Sequence, residues 1–224
     1  MPAIDLILYI VEWIGFFSFT VSATIVAVQK KADCVGACIY ALLTSFGGGF
    51  MRDLILGIHP PHFLFDIKFF YFAIFSVVLS LIIYHLFFID GLKTFISSHA
   101  HDFWIDFSDA IGLAVFCVGG VDIAARTAEG TANAWLLIFC GCLSGVGGGV
   151  LRDVCMAEIP ALFRKHVYLL PALLGVSFYV CTYHVFHILP HLPSLLISVG
   201  LIVVVRVFAI LFKWNLPIPG KEKK

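Results

Sequence analysis

The sequence predicts an all-α membrane protein of seven transmembrane helices, built as two inverted three-helix repeats plus a seventh helix, with glycine-broken helices 2 and 5. Three observations predict it. The 224 residues are 61% hydrophobic and only 12% charged, with a mean hydropathy of +1.04. The apolar residues gather in stretches of about 20 or more, the length that crosses a bilayer core. One seven-residue pattern, GGGxxRD, occurs twice at an offset of 100 positions.

A soluble domain is about 45–50% apolar and about 25% charged. The composition therefore excludes a soluble globular protein and a disordered chain. The formal net charge is +0, from 14 basic and 14 acidic residues, so no global field draws in a nucleic acid. Lipid offers nothing to an open backbone N–H or C=O, which makes each span a helix. Cys34, Cys38, Cys117, Cys140, Cys142, Cys155 and Cys181 lie in or beside apolar stretches. Their spacing fits neither a zinc knuckle nor a disulfide framework, and they read as small buried hydrophobes. The N-terminal stretch has Asp5 at its start and no Lys or Arg before it. It reads as a retained span, because a cleaved leader needs a basic start.

The first span covers 4–28 and holds Glu12; the second, 34–57, holds Gly47, Gly48, Gly49, Arg52 and Asp53; the third covers 69–89. Together they make a first unit, 4–89. The second unit, 104–189, holds spans 106–126, 132–157 and 167–189. Asp109 and Asp122 sit in the first of these, and Gly147, Gly148, Gly149, Arg152 and Asp153 in the second. Span 193–213 carries Arg206 and is followed by a tail, 214–224.

The repeat extends beyond the motif. Pro60 matches Pro160 and Phe63 matches Phe163 at offset 100. Upstream the offset is 97, where Glu12, Gly15 and Phe19 match Asp109, Gly112 and Phe116. An odd number of spans per unit turns the second unit over, which gives a two-fold axis in the membrane plane. Lys30, Lys31, Lys93, Arg164, Lys165, Lys213, Lys221, Lys223 and Lys224 fall on the C-terminal side, against Lys68 and Arg126 on the other. Positive loops stay inside, so the C-terminus is expected in the cytoplasm and the N-terminus outside.

Each interior glycine costs a helix about 1 kcal/mol relative to alanine. Three in a row are expected to open the helix and expose backbone groups to a polar cavity, since broken backbone is tolerated only there. The half-helix ends would then offer dipoles to a solute. Glycine also serves close packing: Gly141, Gly145 and Gly149, like Ala41, Ser45 and Gly49, form small-xxx-small rows. Charges at this depth mark a pathway or a paired core site. Two-fold symmetry suggests Arg52 pairing with Asp153 and Arg152 with Asp53. An ion-pair lock and an arginine that gates a conduit both fit this pattern. Glu12, Asp109 and Asp122 either line a vestibule or cap neighbouring helices. His184, His187 and His191 share helical spacing without a supporting carboxylate in the sequence nearby, and no metal site is expected. No nucleophile–base pair, P-loop or dinucleotide motif is present, so no enzyme, cofactor or ATP coupling is expected.

The doubled GGGxxRD, with Pro60 and Pro160 after it, resembles the prokaryotic trimeric intracellular cation (TRIC) channel family, which overlaps the bacterial glycine transporter (UPF0126) proteins. The resemblance covers about residues 4–213. It implies a homotrimer with an hourglass pore in each subunit conducting K⁺ and Na⁺. The pore would be lined chiefly by the kinked helices around Gly47–Asp53 and Gly147–Asp153, flanked by the spans that carry Glu12 and Asp109. Eukaryotic members counter-balance calcium release. This compact chain, with its short Lys221-Glu222-Lys223-Lys224 end, looks like the prokaryotic branch in a plasma membrane. The basic motif associated with anionic lipid is not evident. The expected function is a monovalent-cation channel, with a carrier of glycine or another small zwitterion as the alternative. The expected partners are the bilayer and further copies of the chain.

Overall fold

The computed structural model describes residues 3–65, 67–88, 98–164 and 167–214. Lys93, Lys165, Lys221, Lys223 and Lys224, and the tail beyond Trp214, lie outside the described residues. Among the described residues the chain is helical, with no strand. The helices are α1 (Ala3–Gln29), α2 (Cys34–Ile55), α3 (Ile67–Phe88), α4 (Ser98–Thr127), α5 (Ala134–Cys155), the short α6 (Ala161–Arg164), α7 (Leu169–Tyr179) and α8 (His191–Leu211). A 3₁₀ turn, His62–Leu64, precedes α3, and a π-helical segment, Val180–Val185, continues α7.

Five stretches are long and apolar enough to cross a membrane: Leu6–Gln29, Cys34–Ile55, Phe103–Thr127, Ala134–Cys155 and His191–Leu211. Ile67–Ile82 and Leu169–Val185 are shorter apolar helices. The protein is a multi-pass membrane protein. Its outer faces match that role: Phe70, Tyr71, Phe75 and Val78 on α3, and Ile197, Val204, Phe208 and Leu211 on α8, are exposed. Unburied rows of this size belong against lipid. Cys117, Cys140 and Cys142 are buried as expected of small hydrophobes, whereas Cys34, Cys155 and Cys181 are exposed, and all are free thiols.

Local chemistry starts the two central helices alike. Asp33 caps α2 by accepting from the Gly36 N–H at 2.7 Å, and Asn133 caps α5 by accepting from the Leu136 N–H at 2.8 Å. A short oxygen-bearing side chain at this position satisfies a backbone donor the helix cannot. Thr44 and Ser144 then donate back to the Tyr40 and Cys140 carbonyls, each at 2.8 Å.

The glycine triplets do not break these helices. α2 runs as continuous α-helix through Gly47, Gly48 and Gly49, and α5 through Gly147, Gly148 and Gly149. The expectation of interrupted helices is therefore corrected, and the reason is a crossing. A Cβ on Gly48 would stand 2.0 Å from the Ser144 carbonyl oxygen, and one on Gly148 would stand 1.9 Å from that of Thr44. Gly47 and Gly147 face the opposite glycine's Cα at 3.3 and 3.1 Å in the same sense. Only hydrogen fits between the two backbones. Water is absent from lipid, so nothing competes for the helical hydrogen bonds, and the close approach offsets the glycine cost through packing.

The other glycines of α5 face elsewhere. A Cβ on Gly141 would meet Val121 at 2.6 Å, and one on Gly145 would meet the Cys117 sulfur at 2.3 Å, so this row docks α4. α1 meets α4 through Gly15 against Val115 and Gly112 against Phe19. Phe19 and Phe116 stack on each other with centroids 5.3 Å apart and planes 5° from parallel. Phe19 and Phe116, which match at the offset of 97 in the sequence, thus pack on each other. The sixth expected span, 167–189, changes instead to a π turn after Tyr179. There the Thr182 hydroxyl donates to the Phe178 carbonyl at 2.8 Å, the kind of back-bond that bends helices.

Gly48→Ala and Gly148→Ala each drive a methyl into a backbone carbonyl that cannot move aside. Each is expected to destabilise the protein by about 3 kcal/mol or more. Gly49→Ala and Gly149→Ala, whose Cβ would meet nothing closer than 3.6 Å, are expected to be neutral or slightly stabilising. Thermal melting of the purified protein in detergent checks the contrast.

Candidate functional site

A cavity of about 500 Å³ lies beside the crossing. Glu12 and Phe16 of α1, Ser45, Gly49, Arg52 and Asp53 of α2, Asp122 and Arg126 of α4, and Leu195 and Val199 of α8 line it. It therefore occupies the end of the bundle where α1 and α8 begin and α2 and α4 finish. Glu12 and Arg126 stand exposed at this end, and Arg52 and Asp53 are buried.

Arg52 and Asp53 are each other's partners. The Arg52 Nε and Nη2 donate to Asp53 Oδ1 at 2.9 and 2.6 Å, and Nη1 reaches the Ser144 hydroxyl at 3.4 Å. Asp53 Oδ2 accepts from the His62 N–H at 2.8 Å, so the same carboxylate secures the 3₁₀ turn after α2. The second motif repeats the arrangement. Arg152 Nε donates to Asp153 Oδ1 at 2.8 Å with Nη2 at 2.7 Å, and Asp153 Oδ2 accepts from the Ala161 N–H at 2.8 Å. The expected pairs, Arg52 with Asp153 and Arg152 with Asp53, are thus replaced by pairs within each motif. Adjacent residues do not face each other on a helix. The long guanidinium arm curls round to the carboxylate because both are buried and neither can remain alone there.

Around Arg152 the space is filled. Tyr168, the residue just before α7, donates its hydroxyl to Asp109 Oδ2 at 2.7 Å. Arg152 Nη1 stands 3.9 Å from Asp109 Oδ1, too far for a hydrogen bond, and neither atom has another hydrogen-bond partner. Arg206 of α8 lies over the Tyr168 ring, 4.2 Å from its centroid. Arg152, Asp109, Tyr168 and Arg206 are all under a tenth exposed. Lys30, at the end of α1, pairs with Glu158, just past α5, and closes the same end of the bundle.

The structure thus separates the residues singled out by sequence. Glu12, Gly49, Arg52, Asp53 and Asp122 share one cavity wall. Gly47, Gly48, Gly147 and Gly148 form the crossing. Gly149, Arg152, Asp153 and Asp109 stand outside the cavity lining, in the filled end. Sequence reasoning missed Tyr168, whose place at the filled end carries no motif. It also gave the histidines no carboxylate, whereas Asp122 supplies one: His191 Nε2 lies 2.9 Å from Asp122 Oδ2, and the Tyr179 hydroxyl donates to Oδ1 at 2.5 Å. Those partners are 69 and 57 positions away in the chain, beyond the reach of any spacing rule. Among the described residues, no three His, Cys, Asp or Glu side chains are arranged to hold a metal ion.

The chain matches the family described as glycine transporter twice, over residues 9–87 and over 106–184. It is 31% identical over 204 residues to the UPF0126 membrane protein YvgT of Bacillus subtilis, covering 91% of this chain and 92% of that protein. A UPF0126 membrane protein of Vibrio cholerae is 29% identical over 214 residues, covering 95% and 82%. Among solved structures, a chain from work on conductance through TRIC cation channels superposes with a TM-score of 0.79 at 27% identity, covering 96% of this chain and 98% of that one. The TRIC orthologue from Rhodobacter sphaeroides gives 0.78 at 25% identity, covering 92% and 98%.

Removing one member of a buried charge pair strands the other, at about 3–5 kcal/mol. Asp53→Asn is expected to lower stability by that order. Tyr168→Phe leaves Asp109 without its donor and is expected to cost about 1–3 kcal/mol. Denaturation of the two variants beside the parent protein checks both.

Proposed function

Because this chain belongs to the glycine transporter (UPF0126) family that includes TRIC-like proteins, we propose that it is a channel passing monovalent cations, K⁺ and Na⁺, as a homotrimer with one path in each subunit. The observation that carries this reading is the charged cavity beside the α2–α5 crossing, in a chain whose solved structural relatives are TRIC cation channels. Glu12 and Asp122 place carboxylates in its wall and favour cations over anions. Arg52 narrows the path while Asp53 neutralises it, so a cation passes a pair rather than a bare guanidinium. The path uses cavity side chains, not opened helix dipoles.

The same reading takes the two motif-bearing halves as inverted three-helix units within seven spans, with the N-terminus outside and the C-terminus in the cytoplasm of a plasma membrane. The cavity is then the outer vestibule. The cluster of Tyr168, Asp109, Arg152 and Arg206 is the closed inner half, and conduction requires Tyr168 to swing aside. The membrane potential supplies the drive, about 2.3 kcal/mol per charge per 100 mV.

A second reading has one specific observation in its favour. Carboxylates and a guanidinium share one wall, which also suits a zwitterion such as glycine, the solute in the family's description. Purified protein in planar bilayers decides between the two. Unitary currents in KCl are expected, and Glu12→Gln with Asp122→Asn is expected to lower conductance severalfold. Electrical silence together with saturable glycine uptake into vesicles would establish the carrier instead.

A further inference from the structure

We propose that Asp122, which lines the cavity, forms a proton-binding site with His184 and His191 behind it, and that a proton taken up there reduces cation passage. The inference deepens the channel reading and rests on it for its effect on flux. Its chemistry rests on geometry alone. Asp122, on α4, faces the cavity. Its Oδ2 meets His191 Nε2 of α8 at 2.9 Å, and because a carboxylate only accepts, that nitrogen carries a hydrogen. Its Oδ1 accepts from Tyr179 at 2.5 Å and lies 4.0 Å from His184 Nε2. This nitrogen is buried and has no hydrogen-bond partner. An imidazole nitrogen facing a carboxylate with no bond of its own gains an ion-pair partner when it takes a proton.

The surroundings fit the same role. Tyr183 packs against both imidazoles, with centroids 4.7 Å from His184 and 5.1 Å from His191, and stacks on Tyr179 at 5.7 Å. The other titratable and charged groups near the carboxylate are Arg126 on α4 and His187 after the π segment; Glu12 of α1 shares the cavity. The π segment, which carries Tyr183 and His184, turns these rings toward α4 and α8, and such segments recur at functional sites. Histidine is the side chain whose charge changes within the physiological pH range. With the imidazoles neutral, Asp122 presents its negative charge to the cavity. Protonated imidazoles hold that charge in ion pairs, and the wall attracts cations less. The site lies at the same end as the start of α1, so it responds to the solution on that side.

Two measurements test this, one without flux. In the first, ¹⁵N-imidazole resonances, assigned with His184→Gln and His191→Gln, are titrated in detergent. Both histidines are expected to titrate, and Asp122→Asn to move them at least half a pH unit lower; absence of that movement overturns the proton site whatever the protein conducts. In the second, currents are recorded in planar bilayers while one solution is taken from pH 7.5 to 5.5. Wild-type current is expected to fall at least threefold with acid on one side only. The His184→Gln, His191→Gln double variant is expected to keep its pH 7.5 current within twofold and lose the response. A flat wild-type profile, or a double variant that responds like wild type, overturns the regulatory half. Absence of current at every pH defeats the channel reading itself, while the titration still decides the proton site.

Discussion

Two helices can cross in lipid at backbone distance only where a glycine of one faces the backbone of the other. Here that place is Gly48 against the Ser144 carbonyl and Gly148 against the Thr44 carbonyl, with no room for a methyl on either glycine. The rest of the molecule is arranged around this contact. It sets how near α2 and α5 lie, and so where the Arg–Asp pairs that follow each triplet can go. It leaves the other small-residue row of α5 to dock α4. With the helices drawn together at this point, the space beside the crossing remains as a cavity at one end and is filled at the other.

The two motifs use the same local chemistry for different ends. In each, the arginine is satisfied by the aspartate next to it, and the aspartate's second oxygen holds the turn that follows the helix. The difference lies in what stands opposite. Glu12 shares an open wall with Arg52, whereas its counterpart Asp109 is locked to Tyr168 beside Arg152. A sequence symmetric in its motifs thus yields an asymmetric structure, with a cavity beside one motif and close packing around the other. Asp109 Oδ1 and Arg152 Nη1 face each other at 3.9 Å without a hydrogen bond.

Much of this was legible in the residues. Apolar length gave the membrane class and the central helices, whereas the caps that start them, Asp33 and Asn133, emerged only with the fold. The small-residue rows on α5 announced close packing. Two readings failed for physical reasons. Glycine's intrinsic helix cost suggested broken helices, but that cost is measured where water competes for the backbone; in a crossing the same glycines are what permit contact. Symmetry suggested charge pairs across the halves, but the guanidinium is long enough to reach its neighbour's carboxylate, and burial rewards the shortest pairing. Tyr168 and the histidines around Asp122 were invisible because their partners lie 57 to 69 residues away, a distance only the fold can close.

The most direct test of the account uses its asymmetry. In a background without native cysteines, Gly49→Cys and Gly149→Cys place thiols at equivalent points of the two motifs. Neither substitution meets an atom closer than 3.6 Å at its Cβ, and only Gly49 lines the cavity. A charged, water-soluble thiol reagent should modify Gly49→Cys and block cation flux, and should leave Gly149→Cys unmodified in the resting protein. Equal reaction at both positions, or modification of Gly49→Cys without loss of flux, would contradict a path that runs through this cavity and stops at Tyr168.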